Sequence, residues 1–341
     1  MNNKHKTVIA IGFISIAFII AITVCTYLLF WDKTFNIQET TYLYIDEDDN
    51  LDSVKVKLNN QSSPKTLYGF EKMADWKNYR VKSGRYKVTP EDNVLSVFKR
   101  LQRGEQTPIR LTIPSVRTIP QLAQILDKKL MIDSARIATY LTDTSTCGEY
   151  GFEPHTIACI FIPNTYEVYW NTSIEKLMQR MQKEHQNFWN NGRAEKAKKI
   201  HLSPIEVVTL ASIVDEETIK NDEKPKVAGM YLNRIRIGMP LQADPTVKFA
   251  LQDFGLRRIY QKHLKVESPY NTYKNKGLPP GPIRIASIAG IDAVLHHTPS
   301  KYLYMCAKED FSGYHNFART YSEHRSNAAK YVKALNKRGI K

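Results

Sequence analysis

Cysteine is scarce: the 341 residues hold only Cys25, Cys147, Cys159 and Cys306. Four thiols so placed exclude a disulfide-stapled miniature fold, and no zinc-finger spacing is present. Cys147 and Cys159 flank a turn-rich stretch, where a bridge and two buried free thiols are both open readings. Cys306 sits in a strand-like segment expected to bury it as a free thiol, and no cysteine has the setting of a nucleophile. His296, His297, His315 and His324 include no His-x-x-x-His pair on a helix, so no metal and no other cofactor is expected. Low-complexity segments and internal repeats are also missing. Acidic residues are outnumbered, 34 against 49 Lys and Arg, for a formal charge of +15. That charge suits nucleic acid, an anionic membrane face or an acidic polymer, or is simply a solvated basic surface. The basic residues are interleaved with acidic ones and no RNP-type aromatic motif occurs, so nucleic acid is not an expected partner.

Charge is wholly lacking from Thr7 to Trp31, TVIAIGFISIAFIIAITVCTYLLFW. A run of that length is expected to cross a bilayer as one helix, for which roughly 20 residues suffice. Tyr27 and Trp31 stand where interfacial aromatics stand, and Lys4 and Lys6 precede the run. Residues 1–6 are therefore expected to stay in the cytoplasm and everything after the span to lie outside. A cleavable signal would have a shorter apolar core and a small-x-small site. Lipidation at Cys25 is disfavoured by the bulk of Val24.

Beyond the span, the chain is expected to be α+β. Residues 38–60 read as a hairpin or a strand–turn–helix. VKSGRYKV, residues 81–88, reads as a strand; Thr89 as N-cap and Pro90 at the first helical position open a helix that Gly104 stops. Val94, Val97, Phe98 and Leu101 give that helix one apolar face. With the strand PIRLTIP at 108–114 this makes a β–α–β unit that suits a small wall-binding module. Residues 118–141 read as one or two helices, and a larger domain begins near Phe161.

The most informative helix is His201–Glu217. Ser203 and Glu206 form a capping box around Pro204, so its side chains can be counted from a defined start. At 100° per residue Val207, Leu210, Ile213 and Val214 fall within about 80° of Glu217, while Asp215 and Glu216 fall to either flank. A carboxyl on an apolar stripe is partly desolvated and held protonated, the state of a general acid. The alternative is a buried Glu paired with an Arg. On the next helix, about Pro225 to Ile237, Arg234 shares the apolar face with Val227, Met230, Tyr231 and Ile235, so it needs an anionic partner such as Glu216, Asp244 or a substrate carboxylate. Leu241–Val247, Ser268–Lys274 and Gly277–Ile283 are Pro- and Gly-shaped loops rich in amides, hydroxyls and aromatics, which suit sugar recognition. Their turn residues also suit ordinary loop geometry.

Six strings occur in order: Phe161-Ile-Pro-Asn-Thr-Tyr166, Ala211-Ser-Ile-Val-Asp-Glu-Glu-Thr218, Asn233-Arg-Ile-Arg-Ile-Gly-Met239, Leu241-Gln-Ala-Asp-Pro-Thr-Val247, Tyr270-Asn-Thr-Tyr273 and Gly277-Leu-Pro-Pro-Gly-Pro-Ile283. Together they resemble the YceG/MltG-like endolytic murein transglycosylases, from about residue 40 to the end. The resemblance implies a LysM-like α/β subdomain at 38–113, connecting helices at 114–160 and a catalytic domain at 161–341, behind a single-pass anchor at 7–31. It implies a lyase with Glu217 as the catalytic residue, acting on nascent peptidoglycan glycan strands outside the bacterial cytoplasmic membrane. Substrate contacts are expected from Arg234, Gln242, Asp244, Tyr270, Asn271 and Tyr273, and peptidoglycan synthases are a further expected partner class. Relatives often carry Glu where this chain has Asp215, and Pro-Glu-Gly where it has Pro114-Ser115-Val116. Two other readings compete: a muramidase using Glu217 and Asp244 as a pair, and a wall-binding scaffold without activity.

Overall fold

A computed structural model describes residues 3–33, 35, 37–62, 64–256 and 258–339, without the side chains of 3–7, 64 and 65. Of the expected cytoplasmic tail, residues 1 and 2 lie outside the described residues, as do the side chains of Lys4 and Lys6. The first helix, α1, runs Asn3–Phe30, and its segment Val8–Phe30 is long and apolar enough to span a membrane. At 1.5 Å per residue its 23 residues reach about 35 Å, against roughly 30 Å of hydrocarbon.

The described chain forms two compact units. The smaller takes in Met1–Arg110, Lys129–Met131 and Glu167–Thr172, and the larger takes the remainder. In the smaller unit, β1 Thr41–Ile45 is followed by α2 Leu51–Asn59, α3 Pro64–Trp76, β2 Gly84–Val88 and α4 Val94–Arg103. Of the two readings of residues 38–60, strand–turn–helix is the one found, with Asn50 capping α2 through Ser53 N–H. β1 and β2 pair antiparallel, Thr41 opposite Val88 and Ile45 opposite Gly84. Alternation buries Leu43, Ile45, Tyr86 and Val88 against Val54, Leu58, Phe70, Phe98 and Leu101.

Two expectations for this unit fail. The helix expected from Thr89 starts at Val94, capped by Asn93 in a box with Ser96. The reason is that Asp92 turns back to accept from Thr89 N–H at 2.8 Å and is gripped by Arg100, so Pro90 lies in a turn. The β–α–β unit is also absent, because β2 pairs with β1 and not with the following strand. Gly104 does end α4, in the left-handed conformation with φ 71°.

β3 Ile109–Thr112 and β4 Thr165–Val168 form a second two-stranded sheet. Between them lie α5 Ile119–Asp127, α6 Ser134–Tyr140 and α7 Thr144–Glu149; after β4 come α8 Ile174–Asn190 and α9 Arg193–Lys199. The larger unit is then built on α10 Pro204–Glu217, which packs against α11 Lys224–Arg236, α12 Asp244–Leu251 and α13 Ile288–Leu295. β5 Tyr304–Ala307 and β6 His315–Ala318 make an antiparallel pair against which α14 Tyr321–Lys337 lies. Cys147 and Cys159 are buried free thiols. Cys306, expected to be buried, is only half-buried, because both faces of β5 keep some exposure.

α10 is tied to α11 and α13 through Asp215. Its carboxylate meets Lys224 Nζ at 2.7 Å, with side chains only 3% and 8% exposed, and accepts from Ser287 N–H and Oγ–H at the start of α13. Gly290 makes the room: a Cβ there would lie 2.5 Å from Asp215 Oδ1. Removing one partner of a buried pair strands the other charge, at a cost of about 3–5 kcal/mol. Asp215→Ala is therefore expected to lower stability by that amount in urea denaturation; a loss below about 1 kcal/mol would contradict this account.

Candidate functional site

The capping box at Ser203 and Glu206 forms as the sequence predicts, with Pro204 in the first turn. The apolar-stripe argument does not survive. α10 is buried on every face from Val207 to Asp215, so the helix has no polar side to set Glu217 apart. What separates the three consecutive acids is the partner each finds. Asp215 has Lys224 and α13. Glu216 receives two hydrogen bonds from Arg117, at 2.9 and 2.8 Å, and one from Arg284 at 2.9 Å. Glu217 accepts from the Tyr231 hydroxyl at 2.7 Å, and among the described residues no Lys or Arg pairs with it.

Glu217 opens onto a cavity of about 250 Å³. The residue is half-buried, and its carboxyl is held on one side by the Tyr231 hydroxyl. Burial raises its pKa to about 6; the Tyr231 hydrogen bond opposes the rise, the Asp244 carboxylate adds to it, and His315 and Arg234 oppose it. Tyr231 itself is pushed well above the ordinary phenol range, chiefly by burial and then by Glu217, so it remains a donor.

Four of the expected substrate contacts, Arg234, Gln242, Asp244 and Tyr273, line this cavity with Glu217. Gln242 sits in the left-handed region at φ 49°, held by its N–H to Thr272 O at 3.1 Å. A non-glycine residue in that conformation carries a small strain that its surroundings must hold in place. The Tyr273 hydroxyl donates to Asp244 Oδ1 at 2.6 Å, coupling the two loops. Arg234 pairs with neither Glu216 nor Asp244. Its guanidinium donates to the carbonyls of Leu303, Leu241 and Pro240 at 2.6, 2.6 and 3.2 Å, fastening the cavity wall. Backbone carbonyls take its Nε and Nη1 donors where Glu216 or Asp244 was expected.

The other two expected contacts lie elsewhere. Asn271 is fully buried and donates to Leu264 O and Val266 O, shaping its own loop. Tyr270 packs on Phe249, centroids 4.7 Å apart, and lines a separate cavity of about 200 Å³ with Arg117 and His155. Sequence reading missed Tyr231 and His315. Tyr231 precedes Arg234 by three positions on α11 and so shares its face, a signal that was present but read as core. His315 reaches the cavity on β6, its N–H and Nδ1 facing the Glu223 carboxylate at 2.7 and 2.9 Å. A carboxylate only accepts, so Nδ1 carries the proton and the ring is fixed. Nothing local in the Gly313–Phe317 segment pointed to that partner.

The chain is 37% identical over 168 residues to a protein of Bacillus subtilis (strain 168) named endolytic murein transglycosylase, covering 49% of this chain and 46% of that one. It is 27% identical over 323 residues to a protein of the same name from Streptococcus pneumoniae serotype 2, covering 84% of this chain and 58% of that one. The chain thus spans about half the length of the curated relatives it matches. A crystal structure of a YceG-like protein from Listeria monocytogenes superposes with a TM-score of 0.55 at 27% identity, covering 85% of this chain and 99% of that one. The YceG-like family profile matches residues 43–330, and the chain belongs to the YceG-like family.

Proposed function

We propose that this protein is an endolytic murein transglycosylase, cutting peptidoglycan glycan strands with Glu217 as its single acid and base. The observation that carries this reading is a half-buried carboxyl at a cavity wall, raised to about 6 by burial and, among the described residues, bonded only by a phenol. A general acid works best with a pKa near the operating pH. Glu217 gives its proton to the oxygen leaving from the anomeric carbon of N-acetylmuramic acid, and that C–O bond breaks. The resulting carboxylate takes the proton of the same sugar's 6-hydroxyl as that oxygen closes on the anomeric carbon. The products are a free 4-hydroxyl and a 1,6-anhydro end; Glu217 is protonated again and no water is consumed. The tethered 6-hydroxyl replaces the water or second carboxylate that ordinary glycosidases require. Gln242 and the Tyr273–Asp244 pair are the groups that hold the sugar, and the fixed imidazole of His315 faces the same space.

The relatives' shared name supports this substrate class. In this reading α1 stays as a single-pass anchor with its N-terminus in the cytoplasm, and the smaller unit is a LysM-like wall-binding module. Residues 161–341 carry the chemistry, 114–160 connect the two, and peptidoglycan synthases are the partner class. A two-carboxylate muramidase remains the second reading, because Asp244 lines the same cavity. It would leave reducing ends where the transglycosylase leaves anhydro ends.

Three measurements test the proposal. Glu217→Gln keeps shape and removes the transferable proton, so counts of anhydro-muramic ends from uncrosslinked strands should fall by at least about 10²–10⁴-fold. Near-normal turnover would end the assignment. The same variant carries a stability signature. The unfolded chain titrates Glu217 near 4.5 and the folded chain near 6, so folding is favoured below 4.5 and that advantage is lost as pH rises through 6. Glu217→Gln should accordingly melt a few degrees higher than the parent at pH 7.5, with no gain at pH 4. Tyr231→Phe removes a bond that favours the carboxylate. The alkaline fall in rate, where the acid loses its proton, should therefore move to higher pH; a shift downward would refute the role given to Tyr231.

A further inference from the structure

The end of α1 is not a free tether. Phe30 packs against the core of the smaller unit, and Lys33 forms an antiparallel bridge with Asn93. Asn93 Nδ2 also donates to Trp31 O at 3.4 Å. At Gly69, in the middle of α3, a Cβ would lie 2.8 Å from Leu29 O, so α1 and α3 approach closely only because that position has no side chain. The last turn of an apolar helix long enough to span a bilayer is thus locked to α3.

Around this junction α3 exposes large aromatics. Tyr68 and Trp76 are 51% and 74% exposed, and Trp31 on the other side of the junction is 51% exposed. Lys72 stands over the Tyr68 ring at 5.4 Å and Lys77 over Trp76 at 3.9 Å. Between α1 and α3 runs a mostly apolar groove of about 360 Å³, lined by Thr26, Phe30, Trp31, Met73, Trp76 and Leu95, with Lys72 also on its wall. Thr26 belongs to the membrane-spanning segment, so the groove begins inside the depth that α1 occupies. Tryptophan and tyrosine favour the headgroup level, and lysines beside them meet anionic phosphates.

We propose that α3 is a membrane-surface element: it lies in the headgroup layer of the bilayer that α1 crosses, with Trp31 and Trp76 at the interface and Lys72 and Lys77 on anionic lipid. The groove between α1 and α3 takes lipid chain from the outer leaflet. The smaller unit is thereby held flat on the membrane and not displayed on a stalk. The inference rests on α1 being a retained anchor, and the test separates the two.

The full-length chain is reconstituted in nanodiscs of phosphatidylcholine and phosphatidylglycerol brominated at a shallow or a deep chain position. The Trp76 signal is the difference between the parent and Trp76→Phe, and the Trp31 signal that between the parent and Trp31→Phe. Shallow bromine should quench both, and aqueous acrylamide should reach Trp76 poorly. Lys72→Glu with Lys77→Glu should cut Trp76 quenching by about half in the anionic discs and less in neutral ones. Quenching of Trp31 with Trp76 left open to acrylamide would overturn the docking of α3 and leave the anchor intact. Absence of quenching at both would overturn the anchor and the docking together.

Discussion

Everything proposed for the larger unit depends on one arrangement: a half-buried carboxyl at the end of a core helix that, among the described residues, forms no ion pair. Desolvation of an ionised carboxylate is costly, and proteins ordinarily offset it with Lys, Arg or several N–H donors. Among the described residues Glu217 has a single phenolic donor, and a neighbouring carboxylate, Asp244, works against ionisation. The unit tolerates that burial and so keeps a proton within reach of a cavity. Asp215 and Glu216 leave Glu217 without a cation, because they engage the nearby Lys224, Arg117 and Arg284.

The same three acids show how one helix end serves three purposes. Asp215 fixes α10 to α11 and to the start of α13. Glu216 holds Arg117 and Arg284, the latter also bonded to Ser115. With both flanks anchored, the final turn of α10 has little freedom, and Glu217 is presented at a set position. Arg234 and Glu223 do comparable work on the facing side. Arg234 fastens the Pro240–Leu241 wall, and Glu223 orients His315. A site built from fixed groups needs little reorganisation when charge develops, which is where most electrostatic catalysis comes from.

Much of the smaller unit was legible locally. The strand read at 81–88 contains β2, apolar spacing marked the body of α4, and Gly104 marked its end. The start of α4 was misread because Thr-Pro-Glu-Asp satisfies both a helix cap and a turn. Arg100, two helical turns further on, decided in favour of the turn by gripping Asp92. The β–α–β reading failed for a related reason: β2 pairs edge to edge with β1 rather than β3, which puts Leu43, Ile45, Tyr86 and Val88 on one buried face.

By itself, the sequence determined the apolar helix, the capping box of α10, the ordered strings of the family and the presence of Glu217 beside two other acids. Those features rest on local spacing and residue type. Only the tertiary structure decided which acid was left unpaired, that Arg234 binds carbonyls, that Tyr270 and Asn271 stand apart from the Glu217 cavity, and that Tyr231 and His315 join it. Each of those outcomes depends on contacts between residues distant in the chain, such as Glu216 with Arg117 and His315 with Glu223. Burial and charge pairing are properties of the packed neighbourhood, and a helical count along one segment carries no information about what packs against it.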